Sequence, residues 1–141
     1  MKIIMMGTGP FAVPTFEALL SDGHEIPLLV TRPPVQSKGK QPPPNPMREV
    51  AQSRAIPVFD PPSVNSPEVV AELQAVGADL LVVCDYGQIL APAALETARW
   101  GGINLHGSLL PKYRGAAPVQ WCVYQGDLES GVSVIHMTPR L

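Results

Sequence analysis

"SPEVVAELQAVGADLLVVCDY", residues 66–86, decides the architecture. Its first half carries helix signals. Ser66 stands at the N-cap, Pro67 at the first helical position where a missing N–H costs nothing, Glu68 in the first turn, and Gly77 just past the end. The second half, residues 78–86, is apolar without alternation, as a strand buried on both faces requires.

The same alternation extends in both directions. Towards the N-terminus, residues 2–6 form a β-rich run ending at Gly7, and residues 11–20 put Phe16, Leu19 and Leu20 on one helical face before Ser21-Asp22-Gly23 stops them. Residues 25–31 read as a second strand, 46–54 as a helix and 56–60 as a short third strand. Towards the C-terminus come a short helix over 92–97, a fifth strand over 101–106, a helix over 117–124 and a sixth strand over 131–137. Strand and helix alternate at the βαβ repeat length. This predicts an α/β fold with a doubly wound, mostly parallel sheet of about six strands. Such sheets bind ligands beyond the carboxyl ends of their strands, so the residues just after each strand matter most.

Composition narrows the class. The 141 residues are 45% hydrophobic and 16% charged, which is globular rather than disordered. A net charge of −2 supplies no global field towards nucleic acid or an acidic membrane, so an anionic partner must be met by a local patch. Cys84 and Cys122 have no metal-ligand spacing, sit among apolar residues and suit a reducing, cytoplasmic setting; no metal is expected. No apolar run reaches the ~18 residues of a membrane helix, so no membrane partner is expected. Proline is the outlier, with 17 residues.

Three post-strand segments carry the chemistry. The first, Gly7 to Ala12 ("GTGPFA"), fits the dinucleotide fingerprint G-x-G-x-x-A. However, the second strand ends in Thr31-Arg32 with no acid for a ribose, and Pro10 removes an N–H from the turn. The second is the loop 31–48, "TRPPVQSKGKQPPPNPMR", which carries Arg32, Lys38, Lys40 and Arg48 and no acid. It reads either as a solvated loop or as a grip for phosphates. The third is "INLHGSLLPKYRG", residues 103–115. Asn104 and His106 are two apart on a strand and share a face, with Ile103 and Leu105 on the other. An amide donor can hold an oxygen that becomes negative, and an imidazole can move a proton. That pairing suits addition to a carbonyl. Beyond it, Ser108, Lys112, Tyr113 and Arg114 surround Pro111.

The run Asn104 to Pro118, Asn-x-His followed by Gly-Ser-Leu-Leu-Pro-x-Tyr-Arg-Gly-Ala-x-Pro, closely resembles the N-terminal domain of the methionyl-tRNA formyltransferase family. The likeness runs along the whole chain, through "GTGPFAVPTFEALL", "LLVVCDYGQIL" and "GDLESGVSVIHM". It implies formyl transfer from the co-substrate 10-formyltetrahydrofolate to the α-amine of methionine on initiator tRNA. By resemblance, Asn104 would hold the formyl oxygen and His106 would stabilise the tetrahedral intermediate and assist proton movement. Ser108, Leu109, Leu110 and Pro111 would lie at the folate. The stretch holding Cys84, Tyr86, Gln88, Ile89 and Leu90 would line the pterin pocket through its backbone. Arg32, Lys38, Lys40 and Arg114 would meet the tRNA.

Two departures from the family pattern follow. The family's opening turn reads Gly-Thr-Pro, an acid and Phe, where this chain has Gly7-Thr8-Gly9-Pro10-Phe11. The family's late strand leads to Gly-Leu-Asp-x-Gly, whose Asp is the third catalytic residue; this chain reads "MTPRL" to Leu141. The resemblance therefore implies that residues 1–141 are the N-terminal part of the catalytic domain, truncated after the sixth strand, without that Asp and without the β-barrel tRNA-binding domain. Little transfer activity and some self-association through uncovered apolar surface would follow for the chain alone, whereas the parent would be a monomer. Asp127 and Glu129, lying before the last strand, are expected at the wrong end of the sheet to replace the missing acid. Two other functions share features with this one. Another formyltransferase, acting on a nucleotide sugar, a glycinamide nucleotide or folate itself, would share the Asn-x-His pair. A non-catalytic dinucleotide-binding module would use only the Gly7 turn.

Overall fold

The computed structural model describes residues 1–34 and 43–138. Six strands form one sheet: β1 Lys2–Gly7, β2 Glu25–Val30, β3 Val58–Phe59, β4 Leu80–Cys84, β5 Gly102–His106 and β6 Ser133–His136. Their spatial order is β3-β2-β1-β4-β5-β6. All neighbouring pairs are parallel except β5 with β6. The α-helices are α1 Val13–Ser21, α2 Pro46–Ser53, α3 Pro67–Val76, α4 Pro92–Leu95 and α5 Pro118–Tyr124, with a 3₁₀ turn at Pro10–Ala12 before α1.

Strand alternation divides the apolar residues between two cores. Ile3, Met5, Leu29, Val82 and Cys84 face α1 and α2, where they meet Phe16, Met47 and Ala51. Ile4, Met6, Val30, Leu81 and Val83 face the opposite layer, with Val69 and Leu73 of α3 and Ala94 and Leu95 of α4. β1 and β4 are therefore buried on both faces, which is why residues 78–86 show no polar alternation. Burying each such aliphatic side chain is worth about 1.5–3 kcal/mol.

The helix signals work with one exception. α3 begins at Pro67 and ends at Val76, capped by Gly77, whose φ of 64° is left-handed, where a Cβ would be strained. Ser66 has the extended backbone of an N-cap and its carbonyl accepts from Val70 N, but its hydroxyl makes no cap bond. The side-chain cap lies instead on α2, where Asn45 Oδ1 accepts from Arg48 N at 3.1 Å.

The direction of β6 overturns one expectation. Asp127 and Glu129, which precede β6, are expected at the far end of the sheet from His106, where a parallel last strand would put them. β6 runs antiparallel to β5, with His106 opposite Ser133 and Ile103 opposite His136. The entrance to β6 therefore lies at the carboxyl end of β5, and Asp127 and Glu129 approach the same end as His106.

Candidate active site

The carboxyl ends of β1, β2, β4 and β5 meet along one rim. Gly7 permits the tight exit from β1, because a Cβ there would fall 2.8 Å from the Cys84 carbonyl and 2.9 Å from Ala12 Cβ. Thr8 then acts as a joint. Its N–H donates to the Asp85 carbonyl (3.1 Å) and its hydroxyl to the Tyr86 carbonyl (3.3 Å). The same oxygen accepts from Thr31 Oγ1 (3.3 Å) and from Arg32 N (3.2 Å). Asn45 Nδ2 donates to Thr31 Oγ1 at 2.8 Å, tying the start of α2 to the same joint. A Cβ on Gly9 would lie 1.9 Å from Asp85 Oδ2, so the altered Gly-Thr-Gly-Pro turn makes room for the Asp85 carboxylate.

The loop after β4 is fixed by side-chain amides. Gln88 Oε1 accepts from Val64 N (2.8 Å) and its Nε2 donates to the Pro61 carbonyl (3.4 Å). Asn65 bridges the Ile89 carbonyl and Ala91 N, both at 2.8 Å. Tyr86 and Leu90 are buried in the α3/α4 core, whereas Ile89 is exposed. Cys84 points into the other core, with Sγ on the Phe11 carbonyl at 3.8 Å. Desolvation, followed by the nearby Asp85 charge, raises the Cys84 thiol to about 11. Desolvation raises the Tyr86 phenol to about 12 against the opposing pull of the Arg32 charge, and among the described residues the Tyr86 hydroxyl has no hydrogen-bond partner.

Asn104 and His106 stand on the face of β5 turned towards α3 and α4, while Ile103 and Leu105 pack against the other core. Among the described residues, the Asn104 carboxamide has no hydrogen-bond partner. His106 Nε2 lies 2.8 Å from the Tyr113 carbonyl. A carbonyl only accepts, so Nε2 carries the proton and Nδ1 is the nitrogen left open.

The segment between them is folded back tightly. Gly107 lets α5 approach closely: a Cβ there would meet Val119 Cγ2 at 2.8 Å and displace that side chain. Ser108 Oγ donates to the Lys112 carbonyl (2.6 Å), which leaves that hydroxyl engaged within the turn. Ser133 Oγ donates to the Ser108 carbonyl (2.8 Å) and accepts from Leu110 N (3.0 Å). Leu109 and Pro111 are exposed, Leu110 half-buried and Ser108 buried. Tyr113 has a φ of 53°, unusual for a residue with a Cβ. Its hydroxyl donates to Asp127 Oδ2 at 2.9 Å, and Lys112 Nζ approaches the same oxygen at 3.2 Å. The Tyr113 hydroxyl and then the Lys112 ammonium hold the Asp127 carboxyl below its usual range, and the same hydrogen bond raises the Tyr113 phenol.

The cations divide. Arg32 is exposed and lies over Gly87, whose Cβ would fall 3.1 Å from Arg32 Cδ and Nη1. Arg114 is exposed on the turn after β5. Arg48, read above as a loop cation without an acid, lies on α2 and pairs with Asp60. Lys38 and Lys40 lie outside the described residues. Among the described residues, no three His, Cys, Asp or Glu side chains are grouped to hold a metal ion, and no helix is long and apolar enough to cross a membrane.

Thr8, Asn45, Asp127 and Ser133 were missed as parts of this end of the sheet. A polar Ser133 opening the otherwise apolar strand stretch "VSVI" was the available signal.

A doubly wound, mostly parallel sheet with an amide and an imidazole side by side at the carboxyl end of β5 defines an α/β protein whose candidate site lies where such sheets bind ligands. The formyl transferase family model matches residues 1–141, and the chain belongs to that family. A curated relative, methionyl-tRNA formyltransferase of Rhodopirellula baltica, is 60% identical over 100% of this chain and 44% of its own length. A second, methionyl-tRNA formyltransferase of Geobacter metallireducens, is 43% identical over 100% of this chain and 46% of its own. The chain thus spans about half the length of the curated relatives it matches. Among solved structures, phosphoribosylglycinamide formyltransferase from Bacillus halodurans matches with a TM-score of 0.75 at 20% identity, covering 98% of this chain and 72% of that one. A sugar N-formyltransferase from Shewanella matches with a TM-score of 0.64 at 17% identity, covering 100% and 52%. These two likenesses are in the fold.

Proposed function

We propose that this chain carries formyl-transfer chemistry from 10-formyltetrahydrofolate to the α-amine of methionine on initiator tRNA, in the cytoplasm. The observation that supports it most is the shared face of Asn104 and His106 at the carboxyl end of β5, in a chain 60% identical to a relative of that name. The neutral amine attacks the formyl carbon. A C–N bond forms as the carbonyl π electrons move onto oxygen, and the Asn104 amide N–H holds that oxygen. The amine proton leaves through the open Nδ1 of His106 and passes to the folate nitrogen as its bond to the formyl carbon breaks. The backbone of residues 84–90 and the turn at Ser108 to Pro111 flank the folate. Arg32, Lys38, Lys40 and Arg114 meet the acceptor's phosphates.

Titration of the chain with a 10-formylfolate analogue and, separately, with NADP tests the donor class. Saturable folate binding without NADP binding is expected, and the reverse overturns the reading. Transfer is measured in single turnover, with residues 1–141 grafted into the full-length Rhodopirellula relative. Asn104→Ala is expected to slow it by roughly 10²–10³ and His106→Ala by roughly 10²–10⁴. Deletion of residues 38–41 should impair transfer to tRNA while leaving donor hydrolysis intact; equal loss of both would assign the loop to structure.

A further inference from the structure

We propose that Asp127 is a positioning residue for His106, acting through Tyr113. The proposal rests on the reading of His106 as the proton-moving group, but the geometry stands without it. Three links connect the two side chains. Asp127 is set by α5: its backbone N–H donates to the Cys122 carbonyl at 3.1 Å, one turn back. Its carboxylate, 19% exposed, accepts from the Tyr113 hydroxyl at 2.9 Å. The Tyr113 carbonyl in turn accepts from His106 Nε2 at 2.8 Å.

The middle link needs outside support. Tyr113 sits at φ 53°, a conformation that costs an ordinary L-residue about 1–2 kcal/mol. Such a backbone persists where its surroundings over-determine it. Tyr113 is held at both ends, its phenol on Asp127 and its carbonyl on the imidazole. If the phenol is released, the residue can return to negative φ, which swings its carbonyl away from the ring. His106 then loses the acceptor that fixes its ring orientation and keeps Nδ1 as the open nitrogen. The Lys112 contact to the same carboxylate is a poor candidate for this role, because Lys112 is 63% exposed and such pairs contribute little.

The antiparallel β6 makes this arrangement possible. It returns the chain to the carboxyl end of β5, so a carboxylate 21 positions after His106 in sequence reaches the turn that holds it.

The His106 Nε2–H proton, observed by NMR on the 141-residue chain labelled with ¹⁵N, reads the contact directly and does not require catalysis. In the wild type it is expected as a resolved, slowly exchanging low-field resonance. Asp127→Ala and Tyr113→Phe should each abolish it, and the double variant should lose nothing more. Asp127→Asn, which can still accept from the phenol, should retain it, as should Lys112→Met. Retention of the resonance in a folded Asp127→Ala or Tyr113→Phe protein would overturn the proposal, as would loss in Lys112→Met. If Asp127→Ala does not fold, Tyr113→Phe alone decides. A His106→Ala chimera with unchanged transfer rate would instead remove the catalytic reading, while the resonance test of the contact in the wild-type chain would stand.

Discussion

His106 and Ser133 are register partners across the antiparallel β5–β6 pair. One ends its strand and the other begins its own, so the Ser133 hydroxyl can reach the turn that follows His106. It donates to the Ser108 carbonyl and accepts from Leu110 N. Ser133→Ala removes both bonds and leaves a carbonyl and an N–H short of a partner. A loss of about 1–3 kcal/mol is expected, read from urea unfolding of the chain. Ser133→Thr, which keeps the hydroxyl, should recover most of it. A change below a few tenths of a kcal/mol in Ser133→Ala would mean that water replaces the side chain.

Thr8 gathers the ends of three strands on one oxygen. Thr8→Val preserves the shape and removes the hydroxyl, leaving Arg32 N and Thr31 Oγ1 without their acceptor. Destabilisation of about 1–3 kcal/mol is expected, with Thr8→Ser near wild type. The link through Thr31 to Asn45 adds a second readout. Hydrogen exchange should quicken at Arg48 N, which Asn45 caps, in Thr8→Val but not in Thr8→Ser. Unchanged exchange there would show that the α2 cap is independent of the joint.

Gly7 is a close-approach glycine, not one chosen for positive φ. A Cβ would strike the Cys84 carbonyl and Ala12 Cβ, both held by the core. Gly7→Ala is expected to cost about 1–3 kcal/mol, as overpacking does, measured by thermal or urea unfolding. Gly23→Ala serves as a contrast. That site has open space around it but a φ of 78°, so its cost comes from the backbone alone.

Much of this arrangement is legible in the chain because strand periodicity is a strong signal. The unbroken apolar run of β4 gives away its two-sided burial, and a spacing of two puts Asn104 and His106 on one face. The direction of β6 is not legible in the same way, because alternating burial looks the same when a strand is reversed. Asp127 and Ser133 were lost to that ambiguity, since proximity to His106 depends on strand direction and not on local pattern. Ser66 shows a smaller gap of the same kind: the residue type and backbone fit a cap, but the hydroxyl rotor is not encoded by position. Arg48 looks unpaired in the sequence because its acid, Asp60, stands 12 residues on, past the end of the loop 31–48.

Cys84 and Tyr86 set an alkaline limit on stability. Burial raises the thiol from 9.0 to about 11 and the phenol from 10.0 to about 12. Both groups are neutral when protonated, and folding favours that form. Their contribution is therefore complete below the unfolded pKa and lost as pH rises towards the folded one. Unfolding free energy should fall between pH 9 and pH 12, with the thiol contributing first. Cys84→Ala should flatten the lower part of that fall and Tyr86→Phe the upper part, whatever each does to stability at neutral pH. Equal slopes in wild type and both variants would show that the two groups ionise in the folded protein as freely as in the unfolded chain.

The α5–β6 side of the sheet is apolar and open. Trp121, Val123, Tyr124 and Leu128 are exposed on and after α5, as are Val134 and Ile135 on β6, which among the described residues is an edge strand. An uncovered edge with apolar side chains on it favours pairing with another chain. The 141-residue chain is therefore expected to self-associate as concentration rises, with light scattering giving masses above the 15.1 kDa of one chain. Val134→Lys places a charge on the edge and Val123→Lys one on α5. Together they should shift the population towards monomer without lowering the unfolding midpoint, because both side chains are mostly exposed. A monodisperse monomer of the unaltered chain at high concentration would overturn this expectation.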